Sequence, residues 1–229
     1  MSTRIIAPSD VMRRLRKSFR AHLGGHGSNP LLPPSMLYDK AYEISCMLQT
    51  MTLMQQQMGG LRYVLSVGST LRFRAKGGPI VRSSWPFIQV YQGTRIVAEI
   101  WTDIEFLALS AWLKGELITS FPYGKAHELD IVIVRPDVGG RPKPDDIFIG
   151  VEAKHRPFNK SLLKELLGVR REMCFYNDTF ADNNEFTWCS HTIPARPASG
   201  LLLFCSNQNV SRYNDPEDFW GIQMLHHMP

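Results

Sequence analysis

Glu128-Leu-Asp-Ile-Val-Ile-Val134 and Asp146-Ile-Phe-Ile-Gly-Val-Glu-Ala-Lys154 are two β-branched runs, separated by Arg135-Pro-Asp-Val-Gly-Gly-Arg-Pro-Lys-Pro-Asp145. Val and Ile favour a pleated, half-buried surface, and Pro and Gly favour a loop, so the stretch reads as two neighbouring strands. Asn159 or Ser161 then caps a helix over 160–176, with Leu162, Leu163, Leu166, Val169 and Met173 on one side. Gly200-Leu-Leu-Leu-Phe-Cys205 follows as a buried strand. The order strand, strand, helix, strand predicts an α/β domain on a mixed central β-sheet flanked by helices.

Upstream, Ser35 to Met58 reads as a long Met-rich helix that Gly59-Gly60 stops, a packing surface more than a cofactor site. Strands are expected at 63–67, 70–74 and 85–91, the last turning through Gly93-Thr94 into 95–101 to form a β-hairpin. A short helix is expected over 106–113. Asp10 to Arg20 reads as a basic helix, and Gly24 to Pro34 as the loop that ends it. The whole chain 1–229 thus reads as a single domain: a basic N-terminal helix and loop over 1–34, a core with insertions over 35–205, and a C-terminal extension over 206–229.

Composition narrows the class. The chain has 229 residues, 44% hydrophobic and 21% charged, which excludes wholesale disorder. No apolar run approaches the ~20 residues that span a bilayer, and no apolar segment follows the basic N-terminus as in a signal peptide. Cys46, Cys174, Cys189 and Cys205 stand far apart, with no zinc or redox pair, and suit a reducing cytoplasm. The net charge of +5 is compatible with a polyanionic partner but does not demand one. G-x-x-x-x-G-K-[ST] and G-x-S-x-G are both absent, which argues against a P-loop NTPase and a serine hydrolase.

Residues two apart on a strand face the same way, so Glu152 and Lys154 project together from one strand end. Glu128 and Asp130 do the same on the neighbouring strand. If the strands pair through the 135–145 loop, Asp130 meets Glu152, and two carboxylates share one small site with an ammonium. Clustered carboxylates repel, so such a site calls for a cation, and oxygen ligands favour a hard one such as Mg²⁺. Lys154 alone among nine lysines follows a carboxylate by two. It is suited to orient a water or to steady charge on a phosphate.

This run, Glu128-Leu-Asp130 … Val151-Glu152-Ala153-Lys154 with an amphipathic helix behind it, resembles the core of the PD-(D/E)xK nuclease superfamily, the restriction-endonuclease-like fold. The likeness in element order covers about 35–205, with N-terminal helical and β-hairpin additions, and residue types match between 127 and 171. Leu129 stands where the motif's nominal Pro would be. The resemblance implies a Mg²⁺-dependent endonuclease, with Mn²⁺ as substitute, acting on DNA. Asp130, Glu152 and Lys154 would be catalytic. Asp130, Glu152 and the main-chain carbonyl of Ala153 would bind metal, with Glu43 of the long helix as a further candidate ligand.

Glu128, His127 and His155 flank these motifs as supporting residues. Lys125, Arg156, Lys160, Lys164 and Arg171 are candidates for phosphate contacts; Arg170 is also close in sequence, and Arg13, Arg14, Arg16 and Lys17 form a second basic cluster. His226-His227 has no third ligand at metal spacing. Double-stranded DNA, a homodimer or larger assembly, or a partner protein are the partners this pattern suggests, with a role in bacterial defence or restriction. The competing expectations are a non-cleaving nucleic-acid-binding or assembly subunit, and a protein-binding scaffold built on residues 1–125.

Overall fold

The computed structural model describes residues 37–67, 71–72, 74, 76–115, 124–176, 195–213 and 220–228. The β-branched runs become adjacent strands of a seven-stranded mixed sheet, in the order β1-β2-β3-β4-β5-β8-β9. These are β1 (Leu61–Leu65), β2 (Ile88–Gln92), β3 (Arg95–Leu107), β4 (Ala126–Val134), β5 (Ile147–Lys154), β8 (Gly200–Cys205) and β9 (Ile222–His226). The two-residue strands β6 (Phe175–Tyr176) and β7 (Ala195–Arg196) pair separately. From β1 to β5 each strand runs antiparallel to the next, whereas β8 lies parallel to β5 and β9 parallel to β8. Fully buried β8, Gly-Leu-Leu-Leu-Phe-Cys, shows why that run lacks alternation: both of its faces are covered.

Helices cover the two faces. α1 (Leu37–Met58) packs Tyr42, Ile44, Met47, Met51 and Met54 against Ile131, Ile133, Val151, Leu202 and Phe204. On the other face α3 (Lys160–Met173) packs Leu162, Leu166 and Met173 against Leu129, Val132, Leu201 and Leu203. α2 (Leu109–Leu113) is a short link. The Asn159 side chain accepts a hydrogen bond from the Leu162 N–H at 3.0 Å, a cap worth about 1 kcal/mol. The apolar stripe of α3 at i, i+4 and i+11 then sets which side meets the sheet.

One irregularity decides where the site forms. Leu129 and Ile131 are two apart on β4, yet they pack into opposite cores. The same switch occurs across the ladder on β3, where Ile100 belongs to the α1 side and Ile104 to the α3 side. The register pairs Thr102 with Ile131 and Ile104 with Leu129, and between them stand Asp103 and Asp130. Asp103 has φ 54°, in the left-handed region that costs a non-glycine residue about 1 kcal/mol or more. Both strands change face at this pair of aspartates.

Several sequence expectations are corrected here. The described residues of the 70–74 stretch (71, 72 and 74) lie in no strand, because Arg74 closes a loop instead: its N–H donates to Asp103 and its guanidinium to the Pro79 carbonyl at 2.8 Å. β3 runs to Leu107 rather than ending near 101, and the helix after it shrinks to Leu109–Leu113. Helix α3 ends at Met173, three residues short of 176. Within the C-terminal stretch, Ile222–His226 joins the central sheet as the edge strand beside β8. Of the cysteines, Cys46, Cys174 and Cys205 are buried and free. No helix among the described residues is long and apolar enough to cross a membrane. The basic segment with Arg13, Arg14, Arg16 and Lys17, and also Cys189, lie outside the described residues.

Candidate active site

β4 and β5 pair from Val134 and Ile147 up to Ile131 and Val151, and there the ladder stops. Beyond it the Ala153 N–H, with no strand partner on that side, donates to Asp130 Oδ2 at 2.7 Å. A residue's N–H and C=O face the same edge of an extended strand, so the Ala153 carbonyl opens toward the same gap. Glu152 and Lys154 alternate with Ala153 and project on the α3 side, where Leu162, Glu165, Leu166, Val169 and Leu203 surround them. Lys154 Nζ lies 2.5 Å from Glu152 Oε2 and 3.3 Å from Asp130 Oδ2. The structure therefore brings together the three side chains named from sequence, with one ammonium between two carboxylates.

The electrostatics follow from burial. Glu152 is only 6% exposed, and its carboxyl is pushed well above the usual range, first by burial and then by Asp130. Lys154 counters this, and the two acids together hold its ammonium charged, raising its pKa in spite of burial. A carboxylate pair under this strain is relieved by a cation. Asp130, Glu152 and the Ala153 carbonyl form an all-oxygen donor set with the hardness Mg²⁺ requires. Among the described residues no three His, Cys, Asp or Glu side chains converge as a ready-made cage, so any metal there would complete its shell with water or substrate.

Glu43 comes from α1, on the opposite face from Glu152. Its carboxyl is pushed up to about 8, chiefly by burial, with Asp130 adding and Lys40 opposing. It does not reach the Glu152–Lys154 pair; instead Lys40 Nζ holds it at 2.6 Å. The same ammonium contacts Asp103, which is 1% exposed. Lys40 and Asp103 are the partners of Glu43 on this face, and the sequence reading did not name them. One signal pointed to Lys40, a lysine three residues before Glu43 on one helix face, whereas Asp103 stands among Thr102 and Glu105 in a strand with nothing local to single it out.

The supporting residues divide. Glu128 faces the loop before β2, where it accepts the Gly77 N–H. A Cβ on Gly77 would lie 2.4 Å from its carboxylate, so this close approach requires glycine. His127 sits 5.9 Å from the Phe106 ring and lines a cavity with Ser110, Arg171 and Glu172. His155 is exposed against Tyr42 of α1, 5.0 Å between rings, so the two histidines do not converge. Lys160, Lys164 and Arg171 are exposed within about 40° of arc on α3, the stripe read from their spacing. Lys125 is half-buried at the entry to β4. Arg156 pairs with Glu165 at 3.1 Å. Arg170 turns inward, donating to the Trp220 carbonyl at 2.8 Å and to Ser199 Oγ at 3.1 Å, so it holds the fold and is withdrawn from any ligand. His227 bonds Ser45 Oγ at 2.7 Å and ties β9 to α1.

No known protein family, curated protein or solved structure matches the chain.

Proposed function

We propose that this chain is a metal-dependent nuclease of the PD-(D/E)xK type, with a restriction-endonuclease-like core formed by α1, β3, β4, β5, α3 and β8. The observation that carries this reading is the convergence of Asp130, Glu152 and Lys154 where β4 and β5 part. Asp130, Glu152 and the Ala153 carbonyl would hold Mg²⁺ or Mn²⁺, which supplies a water of lowered pKa and neutralises charge on the phosphate.

The chain's own residues do the rest. The Ala153 N–H fixes one oxygen of Asp130, so the carboxylate is oriented before anything binds. Leu162, Leu166 and Leu203 keep the Glu152 side dry, and low dielectric strengthens each interaction with a phosphate. Lys154 donates hydrogen bonds from a charge that stays on across neutral pH, which suits steadying the negative charge that develops during hydrolysis. Lys160, Lys164 and Arg171 offer a row of cations for the substrate backbone, and double-stranded DNA is the substrate we favour. Cutting both strands calls for two such centres, hence a homodimer or larger assembly. A role in bacterial defence in the cytoplasm fits this activity.

The test is incubation of purified protein with supercoiled plasmid. Cleavage is expected with Mg²⁺ or Mn²⁺, none in EDTA, and binding without turnover in Ca²⁺. Undiminished cleavage in EDTA refutes the metal assignment, and no cleavage of any DNA or RNA under any of these ions refutes the nuclease.

A further inference from the structure

At the rim of the site an acid stands where a phosphate substrate must arrive. Glu165, on the second turn of α3, shares the walls around Glu152 and Lys154 with Leu162, Leu166, Val169 and Leu203. It is close enough to push the Glu152 carboxyl further up. Its carboxylate accepts from Arg156 Nη2 at 3.1 Å, and both side chains are about half exposed. Arg156 lies two residues beyond Lys154, on a backbone that is already anchored. The Ser206 N–H donates to the Lys154 carbonyl at 3.2 Å, the Cys205 thiol lies 3.5 Å from the Arg156 carbonyl, and Phe158 is buried with its ring 4.8 Å from that of Tyr213. Asn159 caps α3 just after it. The segment therefore does not need the ion pair to hold its shape, and an exposed pair adds little to stability because water screens both charges. What the pair does fix is the place of one guanidinium at the rim of the site.

We infer that Arg156 is a substrate contact that Glu165 holds in reserve, and that an arriving phosphodiester takes the guanidinium over from the carboxylate. This rests on the nuclease reading for the identity of the substrate. Two phosphate oxygens offer a guanidinium the same planar, two-point match as a carboxylate, and the exposed pair they replace is weak. Until then Arg156 and Glu165 leave the rim electrically neutral, so a small free anion gains little there. A nucleic-acid backbone differs, because Lys160 and Lys164, exposed on the same helix, tether it and present its next phosphates to Arg156 at high local concentration. Arg156 thus joins Lys160, Lys164 and Arg171 as a fourth phosphate cation, the one nearest Lys154 along the chain.

The experiment measures binding of a short DNA duplex by the full chain in Ca²⁺, chosen to hold the complex without turnover, over a range of salt, with thermal unfolding of each variant. Glu165→Gln removes the competing carboxylate and should tighten binding about fivefold, the worth of an exposed ion pair, with the salt slope unchanged. Arg156→Ala combined with Glu165→Gln keeps the net charge of wild type, so a pair that merely sits on the surface would leave binding as it was. With Arg156 on a phosphate, the salt slope of this double variant should instead fall by about one, because one phosphate contact is lost. Both variants should melt within ~2 °C of wild type, as surface substitutions do. Weaker binding by Glu165→Gln, an unchanged slope in the double variant, or a melting point lowered by more than ~5 °C in either overturns the inference. A wild type that binds no nucleic acid overturns both this inference and the nuclease reading. A wild type that binds but cuts nothing in Mg²⁺ refutes the nuclease alone, and the two expected shifts would then still support Arg156 as a phosphate contact.

Discussion

Replacing Glu43 by glutamine gives a sharp test of the electrostatics. In the folded chain this carboxyl keeps its proton up to about 8, against an ordinary 4.5, because burial outweighs its contact with Lys40. The unfolded chain releases that proton near 4.5, so between these values folding takes up a proton. Stability from this group is complete below 4.5 and is lost progressively as pH rises toward 8. At about 1.4 kcal/mol per pKa unit the loss amounts to roughly 5 kcal/mol at most, and relaxation around a side chain that keeps some exposure reduces it. Glutamine keeps the shape and an oxygen for Lys40 but does not titrate. Urea unfolding of both proteins at pH 5, 6, 7 and 8 in EDTA isolates the group, since every other titration is shared. The variant should gain at least ~2 kcal/mol on wild type between pH 5 and pH 8. A difference that stays flat within ~0.5 kcal/mol, or reverses sign, would show that Glu43 is ionised in the fold and would refute the argument.

Asp130→Asn, Glu152→Gln and Lys154→Ala should each slow plasmid nicking by about 10²-fold or more with unchanged circular dichroism, and Glu128→Gln should cost less; wild-type nicking by Glu152→Gln would sink the site. Adjacent arginines on α3 should behave oppositely. Arg170→Ala loses a buried hydrogen bond to Ser199 and a part-buried one to the Trp220 carbonyl and should destabilise by roughly 3 kcal/mol, whereas Arg171→Ala should leave stability within ~0.5 kcal/mol. In DNA-binding titrations Arg171→Ala should lower the salt slope by about one, and an unchanged slope would remove it from the phosphate row. Light scattering should report a dimer or larger assembly, free or with DNA, and a monomer in both states contradicts the paired-centre proposal.

Local pattern was enough for much of this protein. Val and Ile runs at 128–134 and 146–154, a Pro- and Gly-rich loop between them, and the apolar stripe of α3 each act through neighbours a few residues away. Period-two alternation likewise placed Glu152 and Lys154 on one face, and pairing through a short loop brought Asp130 beside them. Other features depend on partners far along the chain. β9 is short and earns its place in the sheet only because β8 presents an open parallel edge. The 70–74 segment has strand-like composition, yet Asp103 and the Pro79 carbonyl engage Arg74 in a loop. Arg170 and Arg171 are alike in sequence and differ by about 100° around α3, so one is buried and donates to the Trp220 carbonyl while the other faces solvent. The change of face at Asp103 and Asp130 is the clearest case. Alternation along either strand predicts no such switch, since it arises where two strands, α1 and α3 must all cover their apolar surfaces at once. That collective packing, with no local signature, is what brings Lys40 and Glu43 of α1 together with Asp103 of β3.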